Sequence, residues 1–389
     1  MKGAEPTSIN TGLYLGLISG TSMDGVDTVL VEISDGSFQT VGGLTHPYPQ
    51  HLNAMLHSAI APDARLSLHE IATLHVEIGE CFAEAASMLL ATLDIPSATI
   101  TAVGSHGQTL RHAPHAARPY SIQIGSPSVI SARLGLTTVA DFRSMDIAYG
   151  GEGAPLVPAF HEWLLRDRGE NRVIANIGGI ANISLLPAQE SEPIAGYDTG
   201  PGNCLMDAWC MRHRNVGYDV DGQWAASGNV DPALLAMLLA DHYYTAAPPK
   251  STGREVFNLS YLDLALTHGR FADLAPADIQ ATLAELTVES LAREVERSGQ
   301  NWSVKLFVCG GGAHNAHLMR RLTTRLAPVV LAPTSALGLD PDLVEASAFA
   351  WLAHMRLHNR PIRMTTGRAA RQVHLGAVYS PTLTESRLT

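Results

Sequence analysis

Cysteine is scarce in this chain and badly spaced for chemistry. Its four residues, Cys81, Cys204, Cys210 and Cys309, form no CxxC pair, which argues against a zinc site and against a disulfide framework. Basic residues are outnumbered, with 26 Lys and Arg against 37 Asp and Glu and a formal net charge of -11. They are also scattered, so neither a nucleic acid nor an anionic membrane surface finds a basic patch to grip. No run is apolar and long enough to span a bilayer. The polar start, residues 1–11, lacks the apolar stretch and small-residue cleavage site of a signal peptide. Two glycine signatures are missing as well, G-x-x-x-x-G-K-[ST] and G-x-G-x-x-G, which weighs against a P-loop enzyme and a Rossmann dehydrogenase. A reduced, cytoplasmic protein is expected.

What the chain does have is glycine in three telling places. Its 389 residues, 46% hydrophobic and 16% charged, suffice for two domains with ample core. The run Leu13-Tyr14-Leu15-Gly16-Leu17-Ile18 reads as a strand, then comes Gly20-Thr21-Ser22-Met23-Asp24-Gly25, then a second strand from Val26 and Asp27. Val173-Ile174-Ala175-Asn176-Ile177 leads into Gly178-Gly179 and a further strand, Ile180-Ala181-Asn182-Ile183. Leu306-Phe307-Val308-Cys309 leads into Gly310-Gly311-Gly312-Ala313-His314-Asn315 and then a helix. Such turns let a backbone approach a ligand closely, and hydroxyl side chains add donors. The first two read as one hairpin used twice, so the expected class is α/β with two similar lobes. Three glycine turns on a sheet-rich chain make a phosphate-handling enzyme the default reading.

Other elements fill the frame. Ser67-Leu68-His69-Glu70 is a capping box, followed by Ile71, Leu74, Ile78, Phe82 and Leu89 on one face of a long helix. A strand at 100–103 is expected to end in Gly104-Ser105-His106-Gly107-Gln108. Strand-like runs at 121–124 and 136–140 lead to Asp141-Phe142-Arg143, and 149–155 is too rich in glycine for regular structure. The stretch 187–193 reads as a hairpin connection and 248–255 as a loop between helical segments. Further helices are expected at 277–298, 316–326 and 345–358.

Several residues could carry chemistry, each against a plainer reading. The turn from Gly20 to Asp27 supplies N–H donors, hydroxyls and a carboxylate, which a γ-phosphate and its Mg²⁺ need; it could also be a β-turn using Asp and Gly for geometry. Gly310, Gly311 and Gly312 could lie against adenosine or its α-phosphate, or serve close strand–helix packing. Asp198, in Asp198-Thr199-Gly200-Pro201-Gly202-Asn203, suits a positioned general base; an Asx-turn or helix N-cap is the alternative. Arg143 could make bidentate contacts to a carboxylate or phosphate, or an ion pair with Asp141 at a domain edge. His106 and Gln108 could hydrogen-bond a sugar, although a lone histidine is more often structural. Glu152 could face a ligand or solvent. Lys250 and Arg254 could meet a nucleotide or be solvated. Trp209 and Trp351 fall on apolar helix faces and belong to the core.

Together with Gly104-Ser105-His106-Gly107-Gln108-Thr109, Gly153-Ala154-Pro155-Leu156-Val157-Pro158 and Lys250-Ser251-Thr252-Gly253-Arg254-Glu255, these motifs closely resemble the anhydro-N-acetylmuramic acid kinase family. Cys309-Gly310-Gly311-Gly312-Ala313 and Ala348-Phe349-Ala350-Trp351-Leu352-Ala353 extend the likeness, which runs from about Leu13 to Tyr379. It implies the two-lobed actin-like ATPase and sugar-kinase fold, with a duplicated mixed-sheet core and ATP and Mg²⁺ in a central cleft. One lobe would comprise residues 1–143 and 345–389 and the other 144–344. The implied reaction joins ATP, water and 1,6-anhydro-N-acetylmuramic acid to give ADP and N-acetylmuramic acid 6-phosphate. By the same likeness Asp198 is the base, and Gly20, Thr21, Ser22, Met23, Asp24, Gly25, Val26 and Asp27 hold the phosphates, with Asp24 on the metal. Gly178, Gly179, Gly310, Gly311, Gly312 and Asn315 complete the nucleotide side. His106, Gln108, Arg143, Gly153, Ala154 and Pro155 approach the sugar.

The family suggests a homodimer, and the charge balance leaves no nucleic-acid or membrane partner expected. This chain departs from the family pattern in having Glu152 where Gln is expected and in its polar N-terminal extension. A kinase for an ordinary sugar hydroxyl would share the fold without needing water as a reactant, and an ATP-driven filament or chaperone protein would share it while hydrolysing ATP with no sugar requirement.

Overall fold

The computed structural model describes residues 11–20, 23–34, 36–61, 64–268, 271, 273–298, 304–364 and 371–381. Its packing divides into two units. One is the described part of Met1–Leu156 with Glu345–Met364 and the described part of Ala370–Thr389; the other is Val157–Val344.

In the first unit, β1 (Gly12–Ser19) and β2 (Gly25–Ser34) are near-continuous apolar runs and are buried on both faces. β3 (Ser37–Pro47) alternates exposed and half-buried positions along its whole length, as an edge strand with one covered face must. β4 (Ile100–Ala113), β5 (Tyr120–Ile124) and β6 (Thr138–Ala140) follow. The central order is β3-β2-β1-β4-β6, with β1, β2 and β3 antiparallel in turn and β4 and β6 added parallel. The strand Ala377–Tyr379 closes the β6 edge, and β5 folds back on β4.

The second unit repeats this plan. β7 (Asn171–Ile177), β8 (Ile180–Leu186) and β9 (Ala195–Pro201) run antiparallel in turn, and β10 (Val304–Cys309) and β11 (Val330–Pro333) add parallel to β7. The order β9-β8-β7-β10-β11 matches that of the first unit strand for strand. The duplicated mixed sheet is therefore a fact of the topology, as the fold class requires.

The crossovers behave as their sequences indicate. The helix Leu68–Thr92 opens on a complete capping box: Ser67 Oγ accepts from the Glu70 N–H, and Glu70 accepts from the Ser67 N–H at 2.7 Å. Leu74, Ile78, Phe82 and Leu89 are buried along it, while Ile71 sits at the half-buried margin. The helices Pro276–Ser298, Ala316–Leu326 and Val344–Leu357 lie within a residue or so of expectation. Trp209 and Trp351 are core residues, and all four cysteines are buried free thiols.

Two departures matter. The strand expected to end near Gly107 instead runs on to Ala113 as β4. Gly107 takes φ +78°, and a Cβ there would lie 2.4 Å from the Ile124 carbonyl oxygen, so the chain bends within the strand and continues against β5. His106 and Gln108 thus stand inside a strand. The second concerns Gly16 and Gly104, register partners on β1 and β4. A Cβ on either would fall 1.9 Å from a backbone carbonyl oxygen of the helix Val344–Leu357, from Ala346 and Phe349 respectively. Only glycine lets that helix lie so close.

Gly16→Ala or Gly104→Ala should therefore lower stability by at least about 3 kcal/mol, the upper end for overpacking. Thermal unfolding checks this, and an unchanged Tm for both variants would refute the contact.

Candidate active site

The first glycine hairpin is held from below by its own strand neighbours. The Gly20 carbonyl accepts from the Met23 N–H at 3.3 Å and from Gln108 Nε2 at 3.3 Å. Met23 adopts φ +57°, sends its side chain into the core, and offers its carbonyl to Asn53 Nδ2 at 2.7 Å. The Asp24 carbonyl accepts from the Tyr48 N–H, leaving the Asp24 side chain exposed at the turn. Asp27, two residues into β2, accepts from the Thr45 hydroxyl at 2.6 Å. Gly25 lies tight under the His46 carbonyl, and Val26 is buried. Thr21 and Ser22 lie outside the described residues. Gln108, expected on the sugar side, is therefore bonded to the hairpin expected to hold the phosphates.

A second cluster forms in the same unit around Arg143, on the helix Phe142–Ala148. Arg143 Nε donates to His106 Nε2 at 2.9 Å, and Nη1 donates to the Gly153 carbonyl at 2.6 Å. Because a guanidinium only donates, His106 Nε2 must present a lone pair, and its Nδ1 then donates to the Gly107 carbonyl at 2.9 Å. Both ring nitrogens are engaged within the protein. Burial, and then the adjacent Arg143, hold the His106 value well below the ordinary histidine range.

Gly153 is gripped from its other side too. Its N–H donates at 2.8 Å to Asp146, a fully buried carboxylate that also pairs with Arg371 at 3.1 Å. Ala154 and Pro155 follow directly, half-buried, and Glu152 is half-buried beside them. The structure thus brings His106, Arg143 and Gly153 into one hydrogen-bonded group, and Asp146 joins it unforeseen.

In the second unit, Asp198 stands inside the edge strand β9, and the N-cap of the helix Cys204–Arg214 is Asn203. The N-cap alternative for Asp198 therefore falls away. Its Oδ2 accepts from the Thr252 N–H at 2.9 Å, its N–H donates to the Lys250 carbonyl at 3.2 Å, and its carbonyl accepts from the Tyr243 hydroxyl at 2.7 Å. Lys250 departs from both expectations for it. It is buried, with its ammonium 2.9 Å from Glu294 Oε1.

The second hairpin turn is closed by the protein itself. The Gly178 carbonyl accepts from Asn203 N–H, and the Gly179 carbonyl accepts from the N–H groups of Gly202 and Cys204. The third turn packs on the same place: Gly310, at φ +77°, lies against the Asn176 side chain and Gly312 against Ile177, while Gly311 is exposed. Asn315 caps the helix Ala316–Leu326, accepting from the Leu318 N–H at 3.0 Å. Gly178, Gly179, Gly310 and Gly312 are thereby gathered into one packed knot.

Glu294 was missed, though a signal existed. It stands three residues after Leu291 and seven after Thr287 on the helix Pro276–Ser298, so helical spacing puts a carboxylate on the buried stripe. Asp146 and Tyr243 carry no such mark.

Comparison with known proteins brings in the remaining evidence. The family model described as anhydro-N-acetylmuramic acid kinase matches residues 12–381. An anhydro-N-acetylmuramic acid kinase of Coxiella burnetii is 47% identical over 371 residues, covering 94% of this chain and 97% of its own. One from Saccharophagus degradans is 46% identical over 374 residues, covering 95% and 99%. One from Shewanella oneidensis is 46% identical over 374 residues, covering 96% and 100%.

His106 and His161 should both stay neutral in the folded protein at pH 5, since burial depresses His161 to about 3 and His106 lies well below its ordinary value. The unfolded chain takes up those protons below about pH 6.5, so stability should fall with decreasing pH by roughly 1.4 kcal/mol per unit for each histidine. Ring resonances in NMR and denaturant unfolding between pH 7 and 5 test this. Titration of either ring near 6.5 would contradict it.

Proposed function

The chain belongs to the anhydro-N-acetylmuramic acid kinase family, and from that premise we propose that it opens 1,6-anhydro-N-acetylmuramic acid with water and phosphorylates the freed O6 from ATP. The products would be ADP and N-acetylmuramic acid 6-phosphate, a step in recycling peptidoglycan fragments in the cytoplasm. The observation that carries this reading is the match over residues 12–381 by a family of that name.

The substrate dictates the order of events. Its bridge joins C1 to O6, so O6 is no hydroxyl until the bridge opens. Water attacks C1, a C1–O bond forms, the C1–O6 bond breaks, and O6 takes the γ-phosphoryl group while ADP leaves. Asp198 accepts the proton of the attacking water, a role that suits a carboxylate fixed by the Thr252 N–H. Arg143 and the Gly153 segment orient the sugar, and the hairpin at Gly20 positions the phosphates.

Asp24 is the residue that would hold Mg²⁺. Among the described residues no group of three or more His, Cys, Asp or Glu gathers as a metal cage. One exposed carboxylate at a turn fits a magnesium ion that takes its other ligands from phosphate and water. When bound, the ion would offset charge on the phosphates.

Asp198→Asn should reduce ring opening and ADP release together, by on the order of 10²–10⁴-fold. Near-normal turnover would remove Asp198 from the chemistry. With isotope-labelled water, the label should appear on C1 of the product; label in the phosphate would mean that water intercepts ATP instead. ADP release with the anhydro sugar but not with free N-acetylmuramic acid separates this reading from an ordinary sugar kinase.

A further inference from the structure

Every backbone and side-chain bond described above for Asp198 leads to one buried lysine. β9 is the edge of its sheet, and the segment 250–252 lies along that edge. Lys250 supplies the carbonyl that takes the Asp198 N–H, and Thr252, two residues on, supplies the N–H that binds the Asp198 carboxylate. The third contact, from the Tyr243 hydroxyl, reaches the Asp198 carbonyl.

The Lys250 ammonium holds Tyr243 as well. It donates to the Tyr243 carbonyl at 3.3 Å and sits 4.8 Å from the centre of the Tyr243 ring. Its counter-ion, Glu294, accepts from the Tyr197 hydroxyl at 3.2 Å and pairs with Arg297 at 3.2 Å. Tyr197 is the residue before Asp198. The Lys250 and Glu294 side chains are 4% and 3% exposed, so both charges have left water almost completely.

Taking two charges out of water costs several kcal/mol each, and an apolar pair of similar volume is often no less stable. Stability alone is thus a poor reason for an ammonium and a carboxylate here. The pair also anchors, through Lys250, the segment that carries the Thr252 N–H. The geometry points to Lys250 and Glu294 as a positioning pair: they hold Thr252 and Tyr243 on Asp198 and so orient its carboxylate for the reacting water. This rests on the assignment of Asp198 as the base.

The test compares Lys250→Met/Glu294→Gln, which removes both charges at similar volume, with Lys250→Gln/Glu294→Gln and with Asp198→Asn. ADP release is measured with the anhydro sugar. The double variant should keep a Tm close to that of the unaltered protein and KM values for ATP and sugar within about twofold. Its kcat should fall on the order of 10–100-fold, as displacement of a catalytic group by about 1 Å can cost. Lys250→Gln/Glu294→Gln, which likewise leaves neither charge of the pair buried alone, should show the same split between kcat and KM, which keeps the test open if the first double variant fails to fold. In the Asp198→Asn background the pair substitutions should change kcat no further.

A folded double variant with undiminished kcat would overturn the proposal while leaving Asp198 as base. So would a loss of equal size with Asp198 already replaced, because the pair would then act elsewhere. Undiminished turnover by Asp198→Asn alone would remove the base itself, and this role for Lys250 and Glu294 with it.

Discussion

In the first unit the helix Val344–Leu357 crosses Gly16 and Gly104 on neighbouring strands, backbone against backbone. No side chain separates them, so the sheet and the helix constrain one another's position directly. The effect reaches the candidate site through one residue. The Phe349 carbonyl faces Gly104, while its ring packs on His106 at 4.6 Å and on Phe142 at 5.6 Å. Strand β4 carries His106 and Gln108, and Phe142 precedes Arg143. The helix thus sets both the height of the strand and the position of the guanidinium that bonds to it.

The polar groups nearest the proposed chemistry share a second trait. In each unit a backbone amide is tied to an ion pair whose carboxylate is buried. Asp146, paired with Arg371, holds the Gly153 N–H; Lys250, paired with Glu294, holds the segment that presents the Thr252 N–H. An amide has no rotamers, so it places a hydrogen bond more strictly than a flexible side chain does. The cost lies in desolvating the charges behind it.

Much of the fold was legible because apolar runs and glycine turns are local signals. The hairpin used twice, the capping box at Ser67 and the helix starting at Ala316 all follow from residues close in sequence. The continuation of β4 was not legible: Gly107 looks like a stop, and only pairing with β5 turns it into a bend within a strand. The residues alone left Asp198 open between base and helix cap, because both use an aspartate ahead of a helix. Its place inside β9 removes the cap. Lys250 was hidden for another reason. A cation on a Ser-Thr-Gly loop looks solvated unless one knows that Glu294, 44 residues away, turns inward to meet it.

The free thiols are distributed unevenly between the two units. Cys81 belongs to the first, and Cys204, Cys210 and Cys309 to the second. Burial lifts the first to about 11 and Cys204 and Cys210 to about 12, so thiolate is rare as well as inaccessible while the protein stays folded. Alkylation by a soluble maleimide consequently acts as a clock of opening with a separate hand for each half: one modified cysteine marks the first unit coming apart, three mark the second.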